Sequence, residues 1–167
     1  HDAEGSIVLL GAEGHRPYDR PPLSKKLWLG KKKVEDIFIG EPGFYEKNGV
    51  ELQLGKRVVA LDTKAHEVKD ASGKVYRYEK LLIATGCSPR KLDIPGGDLR
   101  EVCYFRSLDD YTFLREKAAE GASAIIIGGG FIGSELAAVL SVNKVSVTMV
   151  FPSDYLCNRV LPPSLGL

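Results

Sequence analysis

At 167 residues, with 44% hydrophobic and 27% charged residues, the chain can bury one good core or two small ones. A formal net charge of +1 gives no compositional argument for nucleic acid or a membrane surface, and no apolar run approaches the roughly 18 residues that a membrane helix needs. Cys87, Cys103 and Cys157 are far apart and form no C-x-x-C, and His1, His15 and His66 are equally scattered. The expectations are reduced thiols in a reducing compartment such as the cytoplasm, no signal peptide and no metal site.

In chain order, Ser6–Gly11 reads as a strand apolar on both faces, hence parallel and buried. Glu13 follows its end, where doubly wound folds place an acid on a ribose hydroxyl; a surface-loop glutamate would look the same. In Arg16–Lys25, Pro17, Pro21 and Pro22 stiffen the backbone, and the last two can open a helix running to Trp28. Such a loop holds Arg20 and Lys25 as two cations at a defined distance, suited to an anion or simply to solvent. Lys31–Lys33 reads as a solvated turn.

Residues 42–48 suggest a short helix ended by Gly49. From Val50 to Tyr78 the pattern changes to short alternating strands over Val58–Asp62, Glu67–Lys69 and Lys74–Arg77, an antiparallel meander inserted in a parallel fold. Lys80–Gly86 returns to a buried parallel strand, ending in Ala84, Thr85 and Gly86, where a ligand can approach closely. Residues 87–97 form a loop and hinge. Ser107 caps a helix from Leu108 to about Ala119.

The most informative stretch is 122–149. Ala124–Ile127 is a short β-branched run expected to be buried on both faces. It is followed at once by Gly128-Gly129-Gly130-Phe131-Ile132-Gly133, a helix over Ser134–Leu140 and a strand over Val145–Val150. Strand, glycine turn, helix, strand is the context that makes G-x-G-x-x-G a dinucleotide fingerprint rather than a turn that binds nothing. Gly128 permits the turn, Gly130 the approach of a pyrophosphate and Gly133 close helix–strand packing, with the helix N-terminus facing the phosphates.

Taken together, Arg16–Lys25, Ala84-Thr85-Gly86, Phe105-Arg106-Ser107-Leu108 and Gly128–Glu135 resemble the two-dinucleotide flavoprotein reductases of the pyridine nucleotide-disulfide oxidoreductase superfamily. Within it they are most similar to the ferredoxin reductases of oxygenase systems and the apoptosis-inducing-factor-like oxidoreductases. The resemblance implies an α/β fold of two Rossmann-like units, both incomplete, the first carrying the inserted antiparallel meander. Residues 1–120 would be a partial FAD-binding domain and 121–167 the start of an inserted NAD(P)H-binding domain. The implied activity passes a hydride from NAD(P)H to FAD, and electrons onward to an acceptor such as a ferredoxin. Glu13 would hold the adenosine ribose of FAD, Arg20 and Lys25 its pyrophosphate and flavin, and Val58 the adenine side. Ala84, Thr85 and Gly86 would meet the flavin region and Arg106 the rim. Glu135 would lie near the nicotinamide, paired with Lys25 as a buried ion pair.

The chain departs from the family pattern in three ways. The first FAD fingerprint and the later domains are absent, which reads as an internal fragment that binds FAD poorly on its own. Some relatives have the ribose acid one position earlier, at Ala12. The acid expected about 20 residues after the glycines is replaced by Phe151. Asp154 would then reach the ribose and favour NAD, whereas Arg159 would favour a 2′-phosphate; the reading leans to NAD. With no close cysteine pair, disulfide reduction is not expected. The rival readings are a non-catalytic nucleotide-binding or interaction module and a single-Rossmann dehydrogenase, in which Lys25 and the proline loop would have no role.

Overall fold

The computed structural model describes residues 5–166; His1 and Leu167 lie outside it. Packing contacts divide the chain into two compact units, one built from residues up to Asp19 with Phe38–Gly86, the other from Arg20–Ile37 with Cys87 onward.

In the first unit, β1 (Ile7–Leu10) pairs in parallel with β2 (Val50–Gln53), Ile7 opposite Val50 and Leu10 opposite Gln53. The pairing continues past β1, because Gly11 donates to the Gln53 carbonyl at 3.0 Å and Lys56 to that of Gly11 at 2.7 Å. Parallel pairing is as expected; burial is not, since Ile7 is 49% exposed and Val8 41%. Two strands alone leave apolar faces without a covering layer. The expected helix before Gly49 is one turn, α1 (Phe44–Lys47), and Gly49 adopts φ +67° after it.

The meander forms as read. β3 (Val58–Asp62), β4 (Glu67–Asp70) and β5 (Val75–Arg77) make a three-stranded antiparallel sheet in sequence order. Its turn is built on Asp70, which is almost wholly buried. Asp70 Oδ1 accepts the Ser72 hydroxyl at 2.6 Å and the backbone N–H groups of Ser72 at 2.9 Å and Lys74 at 3.0 Å. The Tyr76 hydroxyl reaches Oδ2 at 3.3 Å.

The expected strand at Lys80–Gly86 is not formed. No strand among the described residues pairs with it, so its backbone groups have no ladder, and Leu82 is 87% exposed.

In the second unit the prolines act differently from expectation. Pro21–Ser24 is one 3₁₀ turn, followed by turns to Gly30, rather than a helix reaching Trp28. Proline supplies no N–H, and Lys25 leaves helical space at φ −136°, ψ −94°. A second 3₁₀ turn spans Val34–Ile37. The helix after Ser107 forms as α2 (Leu108–Lys117), with a full capping box between Ser107 and Asp110 worth about 1 kcal/mol. β6 (Ser123–Ile127) and β7 (Ser146–Val150) pair in parallel and flank α3 (Phe131–Val142), which begins three residues earlier than its periodicity suggests; a short α4 covers Pro163–Gly166. β6 is half covered rather than buried on both faces, with Ile125 71% and Ile127 59% exposed. The buried side chains of this unit include Leu23, Leu27, Trp28, Leu108, Tyr111, Leu136, Val139 and Leu140. They lie where α2 and α3 pack on the 3₁₀ turn and α3 on β6 and β7.

Asp70 sets a pH dependence. The Ser72 hydroxyl first, and the backbone N–H groups after it, hold its carboxyl below the ordinary range, against the opposing effect of burial. The unfolded chain therefore binds this proton more readily. The stabilisation is fully present above the ordinary carboxylate range and is lost as pH falls through the folded value. Asp70→Asn should lower the urea midpoint at neutral pH and flatten its decline under acid, measured by unfolding across a pH series.

Candidate functional site

In the second unit the glycine turn runs directly from β6 into α3. Gly128 leaves β6 at φ +121°, outside the reach of ordinary side chains, while its N–H donates to the Val150 carbonyl at 2.8 Å. A Cβ on Gly133 would lie 2.1 Å from the Gly128 carbonyl oxygen, so hydrogen is the only side chain that lets α3 sit this close to β6. A Cβ on Gly130 would meet nothing within 4 Å, and Gly130 caps α3 without any side-chain bond. The first N–H groups of α3 have no partner within the helix, and the backbone at Gly130 carries no side chain to obstruct an approaching group. Gly129 lies against the Phe151 ring, 2.8 Å from where its Cβ would be, and its carbonyl accepts the Cys157 N–H at 2.7 Å.

Two residues beyond Gly133, Glu135 emerges from the first turns of α3. Its Oε1 lies 2.8 Å from Lys25 Nζ, and its Oε2 accepts the Ser24 hydroxyl at 2.6 Å. The ion pair expected to be buried is only partly so, with side-chain exposures of 47% for Lys25 and 27% for Glu135. It lies on the wall of an open pocket, so solvent reaches the lysine.

The loop carrying Lys25 is held at several points. Leu23 N–H bonds the Arg20 carbonyl at 3.0 Å, Lys25 N–H the Pro22 carbonyl at 3.1 Å, and the Trp28 indole N–H the Leu23 carbonyl at 2.8 Å. Asn143, at the far end of α3, donates to the Trp28 carbonyl at 3.3 Å and accepts from Arg115 at 2.8 Å. The Arg115 guanidinium lies 5.2 Å over the Trp28 ring, and Tyr111 meets that ring edge-on at 5.5 Å.

Arg20 donates to the Arg106 carbonyl at 2.9 Å, and the Arg106 N–H bonds the Asp110 carboxylate at 2.9 Å. A cavity of about 330 Å³ is lined by Arg20, Ser24, Lys25, Phe105, Arg106, Phe131, Ile132 and Glu135, among others. Three cations and one anion give its wall a positive balance suited to an anionic ligand. Arg20, Lys25, Arg106, Phe131, Ile132 and Glu135 are therefore brought together. Asp154 is exposed in the loop after β7.

The remaining candidates belong to the first unit. Glu13 follows β1, its carbonyl accepting the Gly55 N–H at 2.9 Å and its carboxylate the Tyr18 hydroxyl. Val58 opens β3, 40% exposed. Ala84, Thr85 and Gly86 lie in the exposed stretch, Gly86 at φ +66°. Ser24 and Asn143 were not legible as site residues. Ser24 bonds Glu135 and Asn143 bonds the Trp28 carbonyl, each over a hundred positions away, and no local pattern marks such a pairing.

The family model described as pyridine nucleotide-disulphide oxidoreductase matches residues 1–166. The chain belongs to that family. It is 37% identical over 162 residues to a rubredoxin-NAD(+) reductase of Pseudomonas putida, covering 96% of this chain and 42% of that one. A peroxisomal monodehydroascorbate reductase of Oryza sativa subsp. japonica is 35% identical over 184 residues, covering 98% of this chain and 38% of the relative. Among solved structures, the ferredoxin reductase for the CYP199A2 system of Rhodopseudomonas palustris superposes with a TM-score of 0.89 at 33% identity. It matches 97% of this chain, which spans 40% of that one. The mixed α/β fold is that of these oxidoreductases, and the chain spans about two-fifths of their length.

Among the described residues the three cysteines are unpaired, no group of His, Cys, Asp and Glu is placed to hold a metal, and no helix is long and apolar enough to cross a membrane. Burial, aided by the Asp110 carboxylate, pushes the Cys103 thiol up to about 11. Cys103 should therefore resist alkylation at neutral pH while exposed Cys87 reacts, as read by peptide mapping after iodoacetamide. Gly133→Ala should cost about 2 kcal/mol or more in urea unfolding, whereas Gly130→Ala, with open space around it, should leave the midpoint unchanged.

Proposed function

We propose that this chain is part of a flavoprotein reductase that passes a hydride from NADH to FAD and electrons on to a carrier of the ferredoxin or rubredoxin type. The observation that carries the reading is the Lys25–Glu135 pair, 2.8 Å apart on a cationic pocket wall, two residues beyond the glycine turn. In this reading residues 1–120 are a partial FAD-binding domain and 121–167 the start of the NADH-binding domain, two incomplete Rossmann-like units with the meander inserted in the first.

FAD, when bound, supplies a two-electron acceptor that can release electrons singly. The chain's own residues bind and orient. The N-terminus of α3 and the bare Gly130 receive a pyrophosphate, Gly128, Gly129 and Gly133 shape the turn, and Phe131 and Ile132 form apolar wall. Arg20 and Arg106 supply positive charge at the pocket. Lys25, held by Glu135, presents an ammonium where negative charge develops on the flavin. The adenosine ribose of FAD falls to Glu13, the adenine side to Val58, and the flavin region to Ala84, Thr85 and Gly86. Asp154 is assigned the ribose of NAD, in keeping with the NAD(+) in the rubredoxin reductase's name. The unpaired thiols support a reducing compartment, the cytoplasm or an organelle.

Anaerobic mixing of NADH with the flavin-loaded full-length gene product that contains this chain should bleach its yellow absorbance. Lys25→Ala should slow that bleaching by about tenfold to a hundredfold, the scale of losing one electrostatic contact to a reacting centre. An unaltered rate in Lys25→Ala, or a wild-type flavin that NADH does not bleach, would refute the proposal.

A further inference from the structure

The Lys25 ammonium ends a side chain with four rotatable bonds, and nearly half of that side chain is open to solvent. A single exposed ion pair does not hold such a group in one place, because its net attraction is about 0–1 kcal/mol and fixing the side chain costs a comparable entropy. Something else must fix the carboxylate to which it is tethered.

Ser24 is the group in position to do so. It is 5% exposed, and its hydroxyl donates to Glu135 Oε2 at 2.6 Å, while Lys25 takes Oε1 at 2.8 Å. The two oxygens are thus divided between one rigid donor and one flexible one. A bond of this length is typical of a hydroxyl donating to an ionised carboxylate, a stronger class than neutral pairs. The rigidity comes from the backbone. Pro21 and Pro22 fix φ three and two residues before Ser24, the Trp28 indole bonds the Leu23 carbonyl, and Asn143 holds the Trp28 carbonyl. Ser24 therefore stays in place independently of Lys25, whereas Lys25 depends on Glu135.

We propose that Ser24 is a positioning residue: it orients the Glu135 carboxylate so that Oε1 is turned toward Lys25, and so places the Lys25 ammonium at the pocket wall. The functional consequence rests on the reading above, in which Lys25 faces the flavin; the positioning itself does not.

Two measurements separate these. In the chain without cofactor, urea unfolding of Ser24→Ala, Glu135→Ala and the double variant forms a closed cycle. The double variant should have the midpoint of Glu135→Ala, with no further loss from Ser24→Ala. Additive losses would overturn the proposal whatever the flavin does. In the flavin-loaded full-length gene product, Ser24→Ala should slow NADH-driven bleaching at saturating NADH by roughly tenfold, as expected for a misplaced reactive group. The NADH concentration for half-maximal rate should stay unchanged, and Ser24→Ala/Lys25→Ala should be no slower than Lys25→Ala. A Ser24→Ala protein as fast as wild type, beside a slow Lys25→Ala, overturns the positioning role and leaves the flavin reading standing. If Lys25→Ala is itself as fast as wild type, the flavin reading fails and the unfolding cycle alone decides whether Ser24 holds Glu135.

Discussion

The arrangement of the second unit depends on one close contact, the approach of α3 to the Gly128 carbonyl at the position of Gly133. A methyl group there would sit 2.1 Å from the oxygen, so the helix would have to lift off the strand. With hydrogen at this position the helix starts directly over the turn, and its later residues fall into place at 3.6 per turn. Glu135 meets the proline loop, Leu136, Val139 and Leu140 are buried, and Asn143 arrives at Trp28. One missing side chain thus aligns the start of α3, an ion pair and an aromatic anchor.

Magnitudes argue that the ion pair is there for position rather than stability. The burial of Leu23, Trp28 and Leu140, each at most 2% exposed, is worth about 1.5–3 kcal/mol per side chain. Lys25 and Glu135, partly in solvent, contribute about 0–1 kcal/mol. Holding the segment against α2 and α3 is the work of those apolar side chains.

Local patterns were readable where the physics is local. Ser107 before an acidic first turn gave α2, the alternation from Val58 to Arg77 gave the meander, and β-branched residues on either side of a glycine turn gave β6, α3 and β7. What could not be read required a partner at a distance. Lys80–Gly86 has the composition of a buried strand, but composition supplies no neighbour to pair with it. Ile125 and Ile127 read as core and are exposed for the same reason. The helix extended from Pro21 to Trp28 failed because two consecutive prolines permit a turn but withhold donors for the next one. At the site, residue types carried Lys25 and Glu135 together only through family resemblance. The Ser24 hydroxyl, 111 positions from its acceptor, carries no periodic signal at all.

Trp28 is the only tryptophan in the chain, and it stands between the Arg115 guanidinium, the Tyr111 ring and the Leu23 carbonyl. Its emission is therefore a local gauge rather than an average over the molecule. A shift in that signal registers a change in the strap between the proline loop and the far end of α3, whichever end of the helix is disturbed first.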